Sequence, residues 1–165
     1  MNLPTWITVS RLFVVPIILV GLTLDTPTWR IVALVAFLIG AGTDWLDGYL
    51  ARKLNQVTDL GKLLDPLVDK LLTLAPLLCL VQLQQIPAWG LFLMLARELA
   101  ISGWRSQQRQ VSGANWWGKS KTVVQIVAIA LLIAQLPGGQ SCFWLAVALT
   151  LWSGWLYVAP GAFQK

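Results

Sequence analysis

Four aspartates at fixed spacing carry the chemistry open to this chain. Asp44 and Asp47 stand three residues apart, and Asp65 and Asp69 stand four apart. On a helix each pair shares a face. Gly48, Ala51 and Arg52 continue the first face, and Gly61, four residues before Asp65, joins the second. Long apolar runs flank the stretch, where a carboxylate is costly and usually marks a working site. Four ionised carboxylates brought together would repel strongly in a low dielectric. Either some are protonated, or about four positive charges neutralise them. Two divalent cations would supply that charge, and an all-oxygen ligand set suits magnesium or manganese. Two metals about 4 Å apart are the usual clamp for in-line displacement at phosphorus. The bland alternative is a set of helix-end aspartates paired with Arg52, Lys53, Lys62 and Lys70. Matched faces with glycines beside them argue against it.

The chain has no histidine. That excludes a histidine general base, a Ser-His-Asp triad and the usual zinc sites. Acid–base work falls to Asp, Glu, Lys, Tyr, Cys or a metal-bound oxygen. Cys79 and Cys142 sit in apolar surroundings without ligand spacing and read as buried, inert thiols.

The elements that must position the aspartates are apolar. Of 165 residues, 57% are hydrophobic and 12% charged, about half the charge of a soluble domain. This predicts an all-α integral membrane protein, a single domain over residues 1–165 with about six transmembrane helices. The expected spans are 11–24, 29–50, 62–83, 88–109, 119–136 and 141–157, the first preceded by a short interfacial segment and bent at Pro16. The N-terminal segment has no basic leader region and no small-residue cleavage site after Leu24, so it is expected to be retained. With both termini on one side, that side receives every Lys and Arg except Arg30, and the positive-inside bias makes it the cytoplasm. The net charge of +5 is spread between apolar runs, which fits anionic lipid and phosphate rather than nucleic acid. Spans two and three, joined by a short loop, become antiparallel neighbours. Both acidic pairs then face each other across a groove at the cytoplasmic side.

A second polar concentration lies on spans four and five: Arg97, Glu98, Arg105, Arg109, Lys119 and Lys121. Arg97 and Arg105 are eight apart, nearly on one face, and Arg97 lies deep in its span. Glu98 is adjacent to it but points elsewhere. A phosphate on a second substrate would satisfy Arg97, Arg105 and one of the lysines. A divalent-cation or proton transporter would also explain the aspartates, but not Gly48, Ala51, Arg52 and Gly61.

The acidic stretch resembles the signature of the CDP-alcohol phosphatidyltransferases, D-x2-D-G-x2-A-R-x8-G-x3-D-x3-D. Asp44, Asp47, Gly48, Ala51, Arg52, Gly61, Asp65 and Asp69 fill all of its specified positions. The resemblance implies a six-helix membrane fold and transfer of the phosphatidyl group of a CDP-linked lipid to an alcohol, with CMP leaving. It implies two divalent cations, Mg2+ or Mn2+, with Asp44 and Asp65 touching both, Asp47 the first and Asp69 the second. Asp69 would also be the base for the acceptor hydroxyl. Gly48 would let the nucleotide approach the helix backbone, and Arg52, Thr58 and Thr8 would bind the CDP-lipid.

Ala96-Arg97-Glu98, Arg105, Trp117-Gly118-Lys119-Ser120-Lys121-Thr122, Thr150-Leu151-Trp152 and the N-terminal pattern Asn2-x-Pro4-x3-Thr8-x2-Arg11 resemble the family's glycerol-3-phosphate branch. One departure is Thr5, where many members have asparagine. The substrates implied are CDP-diacylglycerol and glycerol 3-phosphate, with Arg97, Arg105, Lys119, Lys121 and Arg11 on the acceptor phosphate. Sister enzymes using inositol phosphate or phosphatidylglycerol are the rivals, and a homodimer is suggested by the family.

Overall fold

In a computed structural model, residues 3–54, 59–107 and 116–158 are described, with side-chain surroundings for 10–43, 67–103 and 120–155. Among the described residues the chain forms six α-helices and no strand: α1 (Leu3–Leu24), α2 (Pro27–Leu54), α3 (Asp59–Gln82), α4 (Ala88–Gln107), α5 (Trp116–Ile133) and α6 (Gly139–Val158). Helix number and order are those expected from the apolar periodicity. The first helix differs: it begins at Leu3 and runs through Pro16, so residues 3–10 are its opening turns rather than a separate interfacial segment. Pro4 stands in the opening turn, where its missing N–H costs nothing, so the helix can start there. Among the described residues, no helix is long and apolar enough to cross a membrane.

Short connections set the alternation of helix direction. Pro27 opens α2 at the position where a missing N–H costs nothing. Thr26 caps the turn, its hydroxyl accepting from Trp29 N (3.4 Å) and its carbonyl from Arg30 N (2.9 Å). The C-termini of α3 and α5 close alike. Gln85 N donates to Leu80 O and Gln84 N to Val81 O; Leu136 N donates to Leu131 O and Gln135 N to Leu132 O. Both are Schellman motifs, with Gln84 and Gln135 at φ 57° and 53° where glycine is the usual residue.

α1 packs most extensively against α2 and α3, α5 against α6, and α4 against α6, while α5 also touches α2 and α3. The core runs through these seams: Ile18 and Leu22 of α1, Ala33 and Phe37 of α2, Leu72 and Leu80 of α3, Ile129 and Ile133 of α5, and Phe143 and Ala146 of α6 are all fully or nearly fully buried. Close approach depends on small residues. A Cβ on Gly21 would lie 2.8 Å from Trp29 O and 3.0 Å from Ala33 Cβ, and one on Gly90 would lie 2.9 Å from the Phe143 ring.

At the end of the bundle away from the aspartates, Arg30 ties four helices together. Its side chain is nearly buried and pairs with Asp25 at the end of α1 (2.5 Å), while Nη1 donates to Ile133 O at the end of α5 (3.1 Å). With its amide oriented to suit its neighbours, Gln85 after α3 accepts from the Arg30 guanidinium (2.8 Å) and donates to Leu132 O (3.0 Å). A guanidinium near helix C-termini also answers their partial negative charge.

The glycine contacts generate a paired expectation. Gly21→Ala should lower stability by about 1–3 kcal/mol, because the added methyl meets backbone that cannot swing away. Gly42→Ala, where nothing lies within 4 Å, should be neutral or slightly stabilising. Thermal unfolding midpoints of the two purified variants check this.

Candidate functional site

α2 and α3, which carry the acidic stretch, approach each other just before and after it in sequence. A Cβ on Gly40 would lie 2.8 Å from Leu72 Cδ1, so the two helices meet closely at this level. The contact fixes the register of the acidic positions on both helices. At about 100° per residue, positions 44 and 47 fall within about 40° of Gly40 on α2, and positions 65 and 69 within about 60° of Leu72 on α3. α2 extends past position 52 and α3 begins before position 61, so every signature position is helical.

Asp69 is half-buried on α3. One turn on, the Thr73 hydroxyl donates back to the carbonyls of Asp69 and Lys70 (both 3.2 Å). On α2 the Thr43 hydroxyl does the same toward Ile39 and Gly40 (both 2.9 Å). Each hydroxyl is thus satisfied on its own helix. The side chains of Thr8, Asp44, Asp47, Asp65 and Arg52, and the surroundings of Gly48, lie outside the described residues, as does Thr58 altogether. Among the described residues no group of three or more potential metal ligands stands together.

The second polar concentration is resolved into two different sets of contacts. Arg97 lays its side chain across α6: Nη2 donates to Ser153 Oγ (2.8 Å), and the Ser153 hydroxyl donates to Thr150 O (2.9 Å). A Cβ on Gly154 would lie 2.8 Å from Arg97 Cγ and 3.1 Å from Nε, so the arginine stem fills the place a side chain would take. Glu98, one residue on, turns to α5 and pairs with Lys121 (2.6 Å), whose side chain is 11% exposed. On the next turn of α4, Ser102 Oγ accepts from Lys70 Nζ of α3 (2.9 Å). Arg11, on α1, is 1% exposed. The side chains of Arg105 and Lys119 lie outside the described residues.

Arg97 and Glu98 do diverge, as adjacent helical positions must. But Lys121 already has a carboxylate partner, so it does not enter the pocket as an uncompensated cation. Ser153 and Gly154 are not singled out by sequence reasoning. Their only signal is a small polar pair near the end of an otherwise apolar helix. Two clefts among the described residues, about 330 Å³ beside Asp25 and Arg30 and about 510 Å³ beside Gln85 and Trp144, lie at the opposite end of the bundle.

Known proteins share this pattern. Residues 1–152 match the family model described as CDP-alcohol phosphatidyltransferase. The chain is 40% identical to the CDP-diacylglycerol–glycerol-3-phosphate 3-phosphatidyltransferase of Bacillus subtilis, with 94% of this chain and 93% of the relative covered. It is 33% identical to the protein of the same name from Haemophilus influenzae, covering 98% and 95%. The one from Rickettsia bellii is 32% identical, covering 94% and 93%.

The Glu98–Lys121 pair makes a clear prediction. Glu98→Gln leaves the Lys121 ammonium, 9% exposed as a residue, without its counter-charge and should cost about 1–3 kcal/mol. Adding Lys121→Met should recover most of that loss. Unfolding midpoints for both single variants and the double variant measure the coupling.

Proposed function

Because the chain belongs to the CDP-alcohol phosphatidyltransferase family, we propose that it transfers the phosphatidyl group of CDP-diacylglycerol to glycerol 3-phosphate, forming phosphatidylglycerol phosphate and releasing CMP. The observation that carries this reading is the match of residues 1–152 to that family, and the approach of Leu72 to Gly40 fits a shared groove for the two acidic pairs between α2 and α3. The relatives' shared name supports the acceptor, and the family match sets the ion-transporter reading aside.

Asp44, Asp47, Asp65 and Asp69 form an all-oxygen donor set suited to two divalent cations, Mg2+ or Mn2+. When bound, such ions neutralise the pyrophosphate and stabilise the leaving CMP. Asp69 takes the proton from the acceptor hydroxyl, and its half-buried place beside the α2–α3 contact keeps bulk water away from that transfer. Arg52, Thr58 and Thr8 hold the nucleotide end of the donor. Gly48 leaves room for it against the α2 backbone.

The acceptor phosphate is bound by Arg97, Arg105, Lys119, Lys121 and Arg11. A guanidinium has five N–H donors in a planar fork, so Arg97 can hold Ser153 and a phosphate oxygen together. Glu98 tempers the charge of Lys121, which favours a singly phosphorylated acceptor over a more anionic one.

In this reading the bundle sits in the cytoplasmic membrane with its polar end facing the cytoplasm. Support comes from the outer surface: Phe13, Ile31, Leu78, Phe92, Val123 and Trp155, one from each helix, are all exposed. Large apolar side chains outward on every helix are far more than a soluble monomer shows. Trp89 and Trp144, tilted against each other with ring centroids 4.6 Å apart, suit an aromatic belt at the outer boundary.

We expect Asp69→Asn to abolish CMP release from CDP-diacylglycerol and glycerol 3-phosphate while leaving the unfolding midpoint near that of the parent. Substantial residual activity would remove Asp69 as the base. Excess chelator should stop turnover, and added magnesium or manganese should restore it. Product with inositol phosphate in place of glycerol 3-phosphate would reassign the acceptor.

A further inference from the structure

The sixth helix carries no charged residue, yet it receives the side chain of Arg97 from α4. α4 and α6 run in the same direction, and they approach closely at two levels. At the first, Gly90 lies against the ring of Phe143; at the second, Arg97 lies against Gly154. The first contact is apolar and sets the helix spacing. The second joins a guanidinium to a hydroxyl and a bare stretch of helix backbone.

The details of that second contact are unlike ordinary packing. Ser153 is 3% exposed and Thr150 is fully buried. The Ser153 hydroxyl hands its proton to Thr150 O, so its oxygen is left to accept from Arg97 Nη2. The hydroxyl's direction is therefore fixed on α6 before the arginine arrives. Gly154 removes the side chain that would otherwise occupy the path of the arginine stem, with Cγ, Nε and Cδ all within 3.5 Å of where its Cβ would be. One residue positions the head of Arg97, and its neighbour positions the stem. A long flexible side chain held at both places loses its rotamer freedom before any ligand binds, and preorganisation of that kind is worth affinity.

We propose that Ser153 and Gly154 are positioning residues for acceptor recognition: they hold Arg97 in the conformation that receives the phosphate of the acceptor alcohol. This rests on the proposed role of Arg97 as an acceptor-phosphate ligand. The two α6 residues do not touch the reacting atoms. They act through Arg97, so their loss should weaken acceptor binding while leaving the donor and the chemical step alone.

The test is steady-state kinetics of the full-length protein in detergent with lipid, each substrate varied in turn. Ser153→Ala and Gly154→Ala should each raise KM for glycerol 3-phosphate about tenfold, the scale of one hydrogen bond to a charged group. KM for CDP-diacylglycerol and kcat should be unchanged. Placed on an Arg97→Ala background, either substitution should add nothing. Ser153→Ala removes a single oxygen, so it carries the test if Gly154→Ala does not fold. If Arg97→Ala raises KM for the acceptor but both α6 variants keep the parent value, the positioning role is wrong and the acceptor site stands. An equal rise in both KM values, or a fall in kcat alone, assigns α6 a merely structural part and also overturns it. If Arg97→Ala leaves KM for glycerol 3-phosphate unchanged, the acceptor site itself is misplaced.

Discussion

Charge inside an apolar bundle must be answered by another helix, and that requirement shapes this molecule. A buried cation without a partner costs several kcal/mol, which is comparable to the whole stability of a small domain. Cations on four of the helices accordingly reach across a seam. Arg30 joins α2 to the ends of α1 and α5, Arg97 joins α4 to α6, Lys121 joins α5 to α4, and at the exposed surface Lys70 adds a tie from α3 to α4. Apolar packing alone would let the helices slide or rotate at little cost. Polar ties of fixed length do not, so the charged residues fix a register that the leucines and valines leave loose.

Much of this is legible in the sequence, and the part that is not has a physical reason. The six helices come from apolar runs separated by short polar turns, and apart from the start of the first their bounds lie within about a turn of the expected spans. The shared helix face within each acidic pair also comes from spacing, since helical periodicity is local. Spacing cannot supply which helix a given side chain reaches. Arg97 and Ser153 are 56 positions apart, and Lys121 and Glu98 are 23 apart. No periodicity connects them. By sequence alone the arginine and lysine are cations awaiting a phosphate, whereas the fold gives both a protein partner first. The N-terminal segment misleads for the opposite reason. Its threonines and asparagine suggest an interface, but nothing in them prevents the first helix from starting at Leu3.

Glycine placement separates the two halves of the site more sharply than charge does. Gly40 and Gly154 are both in contact with a neighbouring helix at the polar end, whereas Gly42, two residues from the first, touches nothing. Gly40 admits the Leu72 side chain and so lets α2 and α3 approach. Gly154 admits the stem of Arg97 and so brings one cation to a fixed place. In both, the missing side chain gives space to a specific neighbour rather than freedom to the backbone.

An uncharged helix can govern an ionic site because orienting a charge does not require cancelling it. A charged residue on α6 in place of Ser153 would bind Arg97 more strongly, but it would also neutralise it. A phosphate arriving later would then compete with a permanent carboxylate, as it must at Lys121, where Glu98 already stands. A neutral hydroxyl with its own proton committed to Thr150 O orients the guanidinium and leaves its charge intact. The Ser153 hydroxyl therefore orients the arginine without itself placing a negative charge beside it. On the proposed reading, an acceptor phosphate would meet one cation oriented by a hydroxyl and another already paired with a carboxylate, so the two would hold it by different means.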